Sequence, residues 1–217
     1  MGEEQFNKYK KHEILPAGFG SLLGDVQEQA SKKAEREFEN GHPGVRQEFE
    51  YLIDLLPNPD DPSKKEFPFA ASVVRFANGK MEVLARSTNL VNARNDSTQH
   101  AEFVVIQEAQ KKLDNKHLDG CVLLSTAQPC EMCSGAIRNT QINTLVYGVS
   151  QKELRDTHVK FGKEFKKIRA TSKSIDTDNL LREEGVKVLA GYKYHEVIKK
   201  LSRFVGTIKE YYEDSDA

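Results

Sequence analysis

The chain has little cysteine, no large excess of either charge and no long apolar run, and each shortage excludes a class of protein. Three cysteines in 217 residues are too few for the disulfide framework of a secreted scaffold, so we expect free thiols. Lysine plus arginine (32) nearly balances aspartate plus glutamate (33), which argues against a dedicated nucleic-acid binder. The longest near-apolar stretch, Phe67 to Val74, is far short of the ~20 residues that a bilayer requires.

What the sequence does contain is enough for a folded core. At this length a chain with 38% hydrophobic residues can bury a core without cross-links. The N-terminus has no apolar run of signal-peptide length, so we expect a cytoplasmic protein without a membrane partner and leave a nuclear location open. Residues 1–44 are polar and predict an N-terminal extension. Residues 45–217 predict one domain that ends in a C-terminal helix and tail.

Hydrophobic periodicity predicts a layered α/β domain. Apolar residues recur at helical spacing from Val45 to Leu56, where Pro57 ends the helix. Asn78-Gly79 lies between two β-rich runs and predicts a hairpin. A helix is predicted over 100–113, with Asp96, Ser97 and Thr98 as cap candidates, and a strand over 121–126 follows it. Pro129 is predicted to open the next helix. Strands over 144–148 and 186–190 are joined by a charged connection, and a last helix begins at Tyr194. Helical crossovers after a hairpin predict a mixed sheet with parallel strands.

Two short motifs carry the chemistry. His100-Ala101-Glu102 and Pro129-Cys130-Glu131-Met132-Cys133 both lie where helices are predicted to begin. Zinc accepts imidazole and thiolate ligands, and a catalytic zinc site has three protein ligands and leaves the fourth position to water. Cys130 and Cys133 are three residues apart and can bind one ion from the same helix face. His100, Cys130 and Cys133 are therefore the predicted zinc ligands.

Glu102 has a different predicted role. Two residues separate it from His100, about 200° around a regular helix, so it is a poor candidate for a ligand on the same face. A carboxylate near zinc-activated water can take a proton and return it to a leaving group. This pattern indicates hydrolysis at an electrophilic carbon with protonation of a departing amine.

Cys-x-x-Cys alone has other interpretations, namely a redox pair or half of a structural zinc site. A closed structural site needs a fourth protein ligand, and the third cysteine, Cys121, lies in an apolar strand where it fills the core. The presence of His-x-Glu about thirty positions upstream favours the catalytic site.

The His-x-Glu and Pro-Cys-x-x-Cys pair is the pattern of zinc-dependent nucleobase deaminases. With Asn89, eleven positions before His100, and Ser134-Gly135-Ala136-Ile137 after the cysteines, the chain resembles the cytidine-deaminase-like superfamily from about residue 45 onward. The resemblance implies a three-layer α/β/α sandwich with a five-stranded mixed sheet, commonly a homodimer. It also implies a Zn²⁺ cofactor, Glu102 as the proton shuttle, Asn89 as the residue that orients the base, and a pocket lined by Phe69, Ala70 and Ala71.

The substrate class is open between two candidates. The C-terminal stretch resembles that of fungal cytosine deaminases, which implies that Tyr211 covers the base and Asp214 accepts a hydrogen bond from its amine; an acidic, frayed terminus is the alternative. This resemblance favours a small cytosine- or guanine-type nucleobase or nucleoside. Between Lys152 and Lys173, eight lysines or arginines stand against three acids, a strip that could follow the phosphates of tRNA but is more often a solvated helix face. A tRNA adenosine deaminase is the second candidate, and a non-catalytic zinc-module partner subunit is the third.

Overall fold

The computed structural model describes residues 32–57, 67–154 and 176–201, and the chain divides into units 1–37 and 38–217. The elements are α1 (Val45–Leu55), β1 (Ala70–Ala77), β2 (Lys80–Thr88), the one-turn helix α2 (Val91–Arg94), α3 (Ala101–Leu113), β3 (Cys121–Ala127), α4 (Glu131–Asn139), β4 (Thr144–Val149), α5 (Thr177–Glu183), β5 (Lys187–Ala190) and α6 (Tyr194–Leu201). All of them belong to the second unit. Among the described residues, no helix has the length and apolar character needed to cross a bilayer.

The described strands form one mixed sheet in the order β2-β1-β3-β4-β5. β1 is antiparallel to both β2 and β3, whereas β3, β4 and β5 are parallel. The predicted hairpin is confirmed, with Asn78 and Gly79 at φ values of 52° and 71°, as a two-residue turn with a right-handed strand twist requires. The parallel strands are joined by helices, as the predicted crossovers require.

Helices cover both faces of this sheet, which confirms the predicted three-layer α/β/α sandwich. Strand residues alternate between two cores: Leu123 and Leu145 pack in the core under α3, α4 and α5, whereas Leu124 and Val146 pack in the core under α1 and α6. Strands β3 and β4 are buried along their whole length because both of their faces are covered.

Gly148 allows α6 to lie close to the sheet. A Cβ atom at this position would be 2.7 Å from the Thr126 carbonyl oxygen and 2.8 Å from Cγ2 of Val197. Both distances are well inside van der Waals contact, so a larger residue would push α6 away from the end of β4.

Two helix starts differ from the predictions, and the structure gives the bounds of the helix in the last crossover. The N-cap of α3 is His100, and Asp96 instead accepts hydrogen bonds from the backbone N–H and hydroxyl of Thr98 within its own turn. Pro129 does not open α4, whose N-cap is Cys130. The connection predicted between β4 and β5 contains α5, whose N-cap Asp176 accepts from the backbone N–H of Asn179. The boundary between an extension over 1–44 and a domain over 45–217 stays a prediction.

Candidate metal centre

The predicted zinc ligands come from two helix N-termini at one edge of the sheet. The loop after β2 leads through Asn89 to His100 at the start of α3, and the turn after β3 leads through Pro129 to Cys130 at the start of α4. Ala70, at the start of β1, pairs with Thr88 at the end of β2, so the beginning of β1 lies at this edge as well. The topology thus brings together residues that are thirty positions apart in the sequence.

The three predicted ligand atoms form a nearly equilateral triangle. The Sγ atoms of Cys130 and Cys133 are 3.6 Å apart, and they lie 3.5 and 3.7 Å from Nδ1 of His100. Zn–S bonds of about 2.3 Å and Zn–N bonds of about 2.0 Å in a tetrahedral shell place such donors roughly 3.5–3.8 Å apart. Both thiols are buried, and no other histidine, cysteine or carboxylate among the described residues joins this group. The donor set fits a zinc ion with one open position.

The two thiols also need a cation for electrostatic reasons. The contact with Cys133 and the neighbouring His100 lower the pKa of Cys130, whereas the contact with Cys130 and burial raise the pKa of Cys133. The opposite shifts reflect the mutual repulsion of two adjacent thiolates. A bound divalent cation would offset this repulsion and allow both sulfurs to act as thiolate ligands.

Glu102 points into the same site, where its neighbours are a hydroxyl and a thiol. The residue is 6% exposed. Its Oε1 lies 3.2 Å from the Ser125 hydroxyl, whose single proton is shared with the nearer Ala127 carbonyl oxygen at 2.7 Å, and its Oε2 lies 3.8 Å from Sγ of Cys133. Burial raises the pKa of Glu102. No lysine or arginine forms an ion pair with it in the parts of the chain that the structure describes. A buried carboxyl next to a zinc site is suited to proton transfer.

The predicted substrate residues Phe69, Ala70, Ala71 and Asn89 lie at this edge too. The backbone N–H of Asn89 donates to the carbonyl oxygen of Phe69 at 2.9 Å, which joins the loop after β2 to the segment before β1. The Oδ1 atom of Asn89 accepts from the backbone N–H of Val91 at 3.0 Å, which fixes the orientation of its side-chain amide. The other two predicted substrate residues, Tyr211 and Asp214, lie outside the described residues.

Two hydroxyl residues of β3 contribute to the site and were missed in the sequence. Ser125 contacts Glu102, and Thr126 accepts from the backbone N–H of Ala70 at 3.0 Å and donates to its carbonyl oxygen at 3.2 Å. Both are fully buried. A Ser-Thr pair at the end of an otherwise apolar strand is the signal that could have identified them, because a buried hydroxyl needs a partner.

The site lies within a stretch of the chain that matches a model of a known protein region. Residues 50–149 match the model of the cytidine and deoxycytidylate deaminase zinc-binding region. The tRNA-specific adenosine deaminase of Buchnera aphidicola is 42% identical over 74 residues, covering 34% of this chain and 49% of that protein. The tRNA-specific adenosine deaminase of Bacillus subtilis is 40% identical over 85 residues, covering 39% of this chain and 50% of that protein. The chain thus spans about half the length of these curated relatives.

Solved structures agree at the level of the fold. The guanine deaminase of Nitrosomonas europaea is similar with a TM-score of 0.59 and 24% identity, over 73% of this chain and 82% of that chain. The His100, Cys130 and Cys133 cluster is the zinc-binding triad typical of the matched family. Residues 50–149 thus contain a cytidine and deoxycytidylate deaminase zinc-binding region.

Proposed function

We propose that this protein is a zinc-dependent hydrolytic deaminase that converts adenosine in tRNA to inosine. The observation that most directly supports this proposal is the cluster of His100, Cys130 and Cys133 with the buried carboxylate of Glu102 beside it. Support for the substrate comes from the tRNA-specific adenosine deaminases among the relatives, which reverses the order of the two candidates that the sequence alone favoured. The Lys152–Lys173 strip is consistent with a polyanionic partner.

Each described side chain of the site has its own role in the proposed reaction. When bound, zinc lowers the pKa of a water molecule to near 7. Glu102 accepts a proton at its carboxylate and returns it to the departing amine, which leaves as ammonia while the ring carbon gains oxygen. The Ser125 hydroxyl lies within hydrogen-bond distance of Oε1 of Glu102, although its shorter contact is with the Ala127 carbonyl oxygen. The Asn89 amide orients the base against the backbone at Phe69 and Ala70.

A second candidate is a deaminase of free cytosine- or guanine-type nucleobases or nucleosides. The observation that favours it is the acidic C-terminus, where Glu210, Glu213, Asp214 and Asp216 are accompanied by only one lysine, Lys209. Acidic side chains at this end would repel a phosphate backbone. For this candidate, the resemblance to fungal cytosine deaminases predicts that Tyr211 covers the base and Asp214 accepts from its amine. The homodimer and the cytoplasmic location stay predictions in both cases.

A substrate panel tests both candidates. Zinc-loaded protein is incubated with tRNA that carries an unmodified adenosine in its anticodon loop, and separately with cytosine, guanine, adenine and their nucleosides. Inosine in the tRNA, together with binding that weakens steeply as salt rises, supports the proposed function. Ammonia released from free bases alone supports the second candidate. A wild-type protein that is inactive on the whole panel contradicts both, and Glu102→Ala identifies any contaminating activity.

A further inference from the structure

The peptide bond that leads into Cys130 is oriented by side chains from outside its own turn. The carbonyl oxygen of Pro129 accepts from Nε2 of Gln151 at 3.0 Å and from the Thr177 hydroxyl at 3.3 Å. Thr177 begins α5 and is 2% exposed. Because Cys130 is the next residue, rotation of this peptide would move its sulfur relative to the other two ligand atoms.

The side-chain amide of Gln128, the residue before Pro129, is held in one orientation because both its oxygen and its nitrogen have hydrogen-bond partners. Its Oε1 accepts from the backbone N–H of Gln151 at 2.9 Å. Its Nε2 donates to Oδ1 of Asp178 at 2.8 Å and to the Thr177 hydroxyl at 3.3 Å. A flipped amide would set its nitrogen against a backbone N–H and its oxygen against a carboxylate, so only one orientation satisfies both partners.

Asp178 is in turn held by the end of β4. The Tyr147 hydroxyl donates to Oδ2 of Asp178 at 2.7 Å, and burial together with this carboxylate raises the pKa of Tyr147. The side chain of Asp178 is 16% exposed, and the guanidinium that pairs with it, through Nη2 of Arg182, is 4.0 Å away. Asp178 therefore accepts mainly from two uncharged donors, one of which is the amide of Gln128.

From these contacts we infer that Gln128, Thr177 and Asp178 are positioning residues of the metal centre, which orient the Pro129–Cys130 turn through α5. The contact between Gln128 and Asp178 also explains why residue 128 is glutamine. A glutamate at this position would keep an acceptor for the N–H of Gln151 but would set a second carboxylate against Asp178 at hydrogen-bond distance. Like charges so close in a largely buried place are destabilising.

A charge exchange tests this inference through metal binding rather than turnover. Gln128→Glu, Asp178→Asn and the double variant are compared with the wild type for Zn²⁺ affinity, measured by competition with a chelator. The visible absorption of the Co²⁺-substituted proteins reports the ligand geometry. The double variant restores the hydrogen bond with donor and acceptor exchanged, because the new amide at position 178 donates to the new carboxylate at position 128 and still accepts from Tyr147.

Gln128→Glu is expected to weaken Zn²⁺ binding by about 10–100-fold, the range for outer partners of metal ligands, and to change the Co²⁺ spectrum. Asp178→Asn in the Gln128→Glu background is expected to recover the wild-type spectrum and an affinity within about threefold of wild type. Wild-type affinity in Gln128→Glu would overturn the inference. So would a double variant that binds Zn²⁺ no better than Gln128→Glu.

Gln110→Glu is the matched control for adding a carboxylate. The amide of Gln110 donates to the Lys116 carbonyl oxygen, and ten residues of α3, about 15 Å along the helix, separate it from His100. Its Zn²⁺ affinity should equal that of the wild type, and an equal loss in both variants would overturn the inference.

If Gln128→Glu does not fold, Thr177→Val removes only the hydroxyl that donates to Pro129. A severalfold loss of Zn²⁺ affinity then supports the inference, and an unchanged affinity overturns it. Because all readouts concern the metal, they are independent of the substrate proposed above.

Discussion

Glu48 and Glu102 are both buried carboxylates, one on each face of the sheet, but their surroundings differ. Glu48, on α1, faces Arg86 of β2, whose Nη2 and Nε atoms lie 2.6 and 2.8 Å from its oxygens. Glu102, on α3, faces a hydroxyl and a thiol and no described lysine or arginine. The first arrangement neutralises a charge and serves stability, whereas the second keeps a carboxylate available for chemistry. Burial alone therefore does not mark a candidate for proton transfer, whereas a buried carboxyl that faces no described lysine or arginine is a better candidate.

Removing the metal should have the largest effect, because a bound zinc ion would supply the activated water that the reaction needs. Cys130→Ser is expected to abolish activity and to lower Zn²⁺ affinity by more than the about 10–100-fold cost of altering an outer partner. Elemental analysis should find one zinc per chain in the wild type and none in the variant. Cys121→Ala is the control, since Cys121 is buried in β3 away from the cluster. Zinc retained at full stoichiometry by Cys130→Ser would contradict the ligand assignment.

Glu102→Gln should come next and should separate activity from stability. Loss of the proton shuttle is expected to lower kcat by about 10²–10⁴-fold on whichever substrate the panel identifies. In metal-free protein the melting temperature should stay equal or rise, because a neutral amide replaces a buried carboxyl that faces no described lysine or arginine. Glu108→Gln, an exposed position on the same helix, is the control. Near wild-type turnover in Glu102→Gln would exclude this residue as the shuttle.

Arg86→Met, on the other face of the sheet, should lower the stability of the protein rather than its zinc binding. It leaves Glu48 buried without this partner, and because Arg86 itself is partly exposed we expect a loss of about 2 kcal/mol in the free energy of unfolding. Zn²⁺ affinity should be unchanged. Arg75→Met breaks an exposed pair with Glu82 and should lower the free energy of unfolding much less than Arg86→Met does. Equal losses in the two variants would show that Glu48 does not depend on Arg86.

Tyr51→Leu should have the smallest effect. The guanidinium of Arg86 lies over the Tyr51 ring, 4.6 Å from its centroid, and Tyr51 is the exposed large hydrophobic residue of α1. A cation–π contact at such a site contributes roughly 0.5–1 kcal/mol, so a decrease of this size is expected in the free energy of unfolding. A decrease as large as that of Arg86→Met would mean that the ring, rather than Glu48, holds Arg86 in place.

Local signals in the sequence predicted most of the fold. The helix from Val45, the Asn78-Gly79 hairpin and the apolar strand from Cys121 agree with α1, β1–β2 and β3 because each is determined by periodicity or by turn chemistry within a few residues. The helix caps were less predictable. Asp96 prefers its own turn to the start of α3, a competition between nearby backbone N–H groups that spacing cannot resolve. The helical crossover expected between β4 and β5 had no predicted bounds, because the charged sequence of α5 has only a short apolar pattern and its burial comes from packing beside β5.

The sequence by itself determined the chemistry: His-x-Glu and Pro-Cys-x-x-Cys supply a complete zinc donor set and an acid, because ligand preference and spacing are properties of the residues. Only the tertiary structure decided which other groups support them. Ser125 meets Glu102, and Gln128 meets Asp178, because the sheet order and the return of α5 bring together residues that are 23 and 50 positions apart. Contacts across such separations depend on the packing of whole elements and leave no local pattern in the chain.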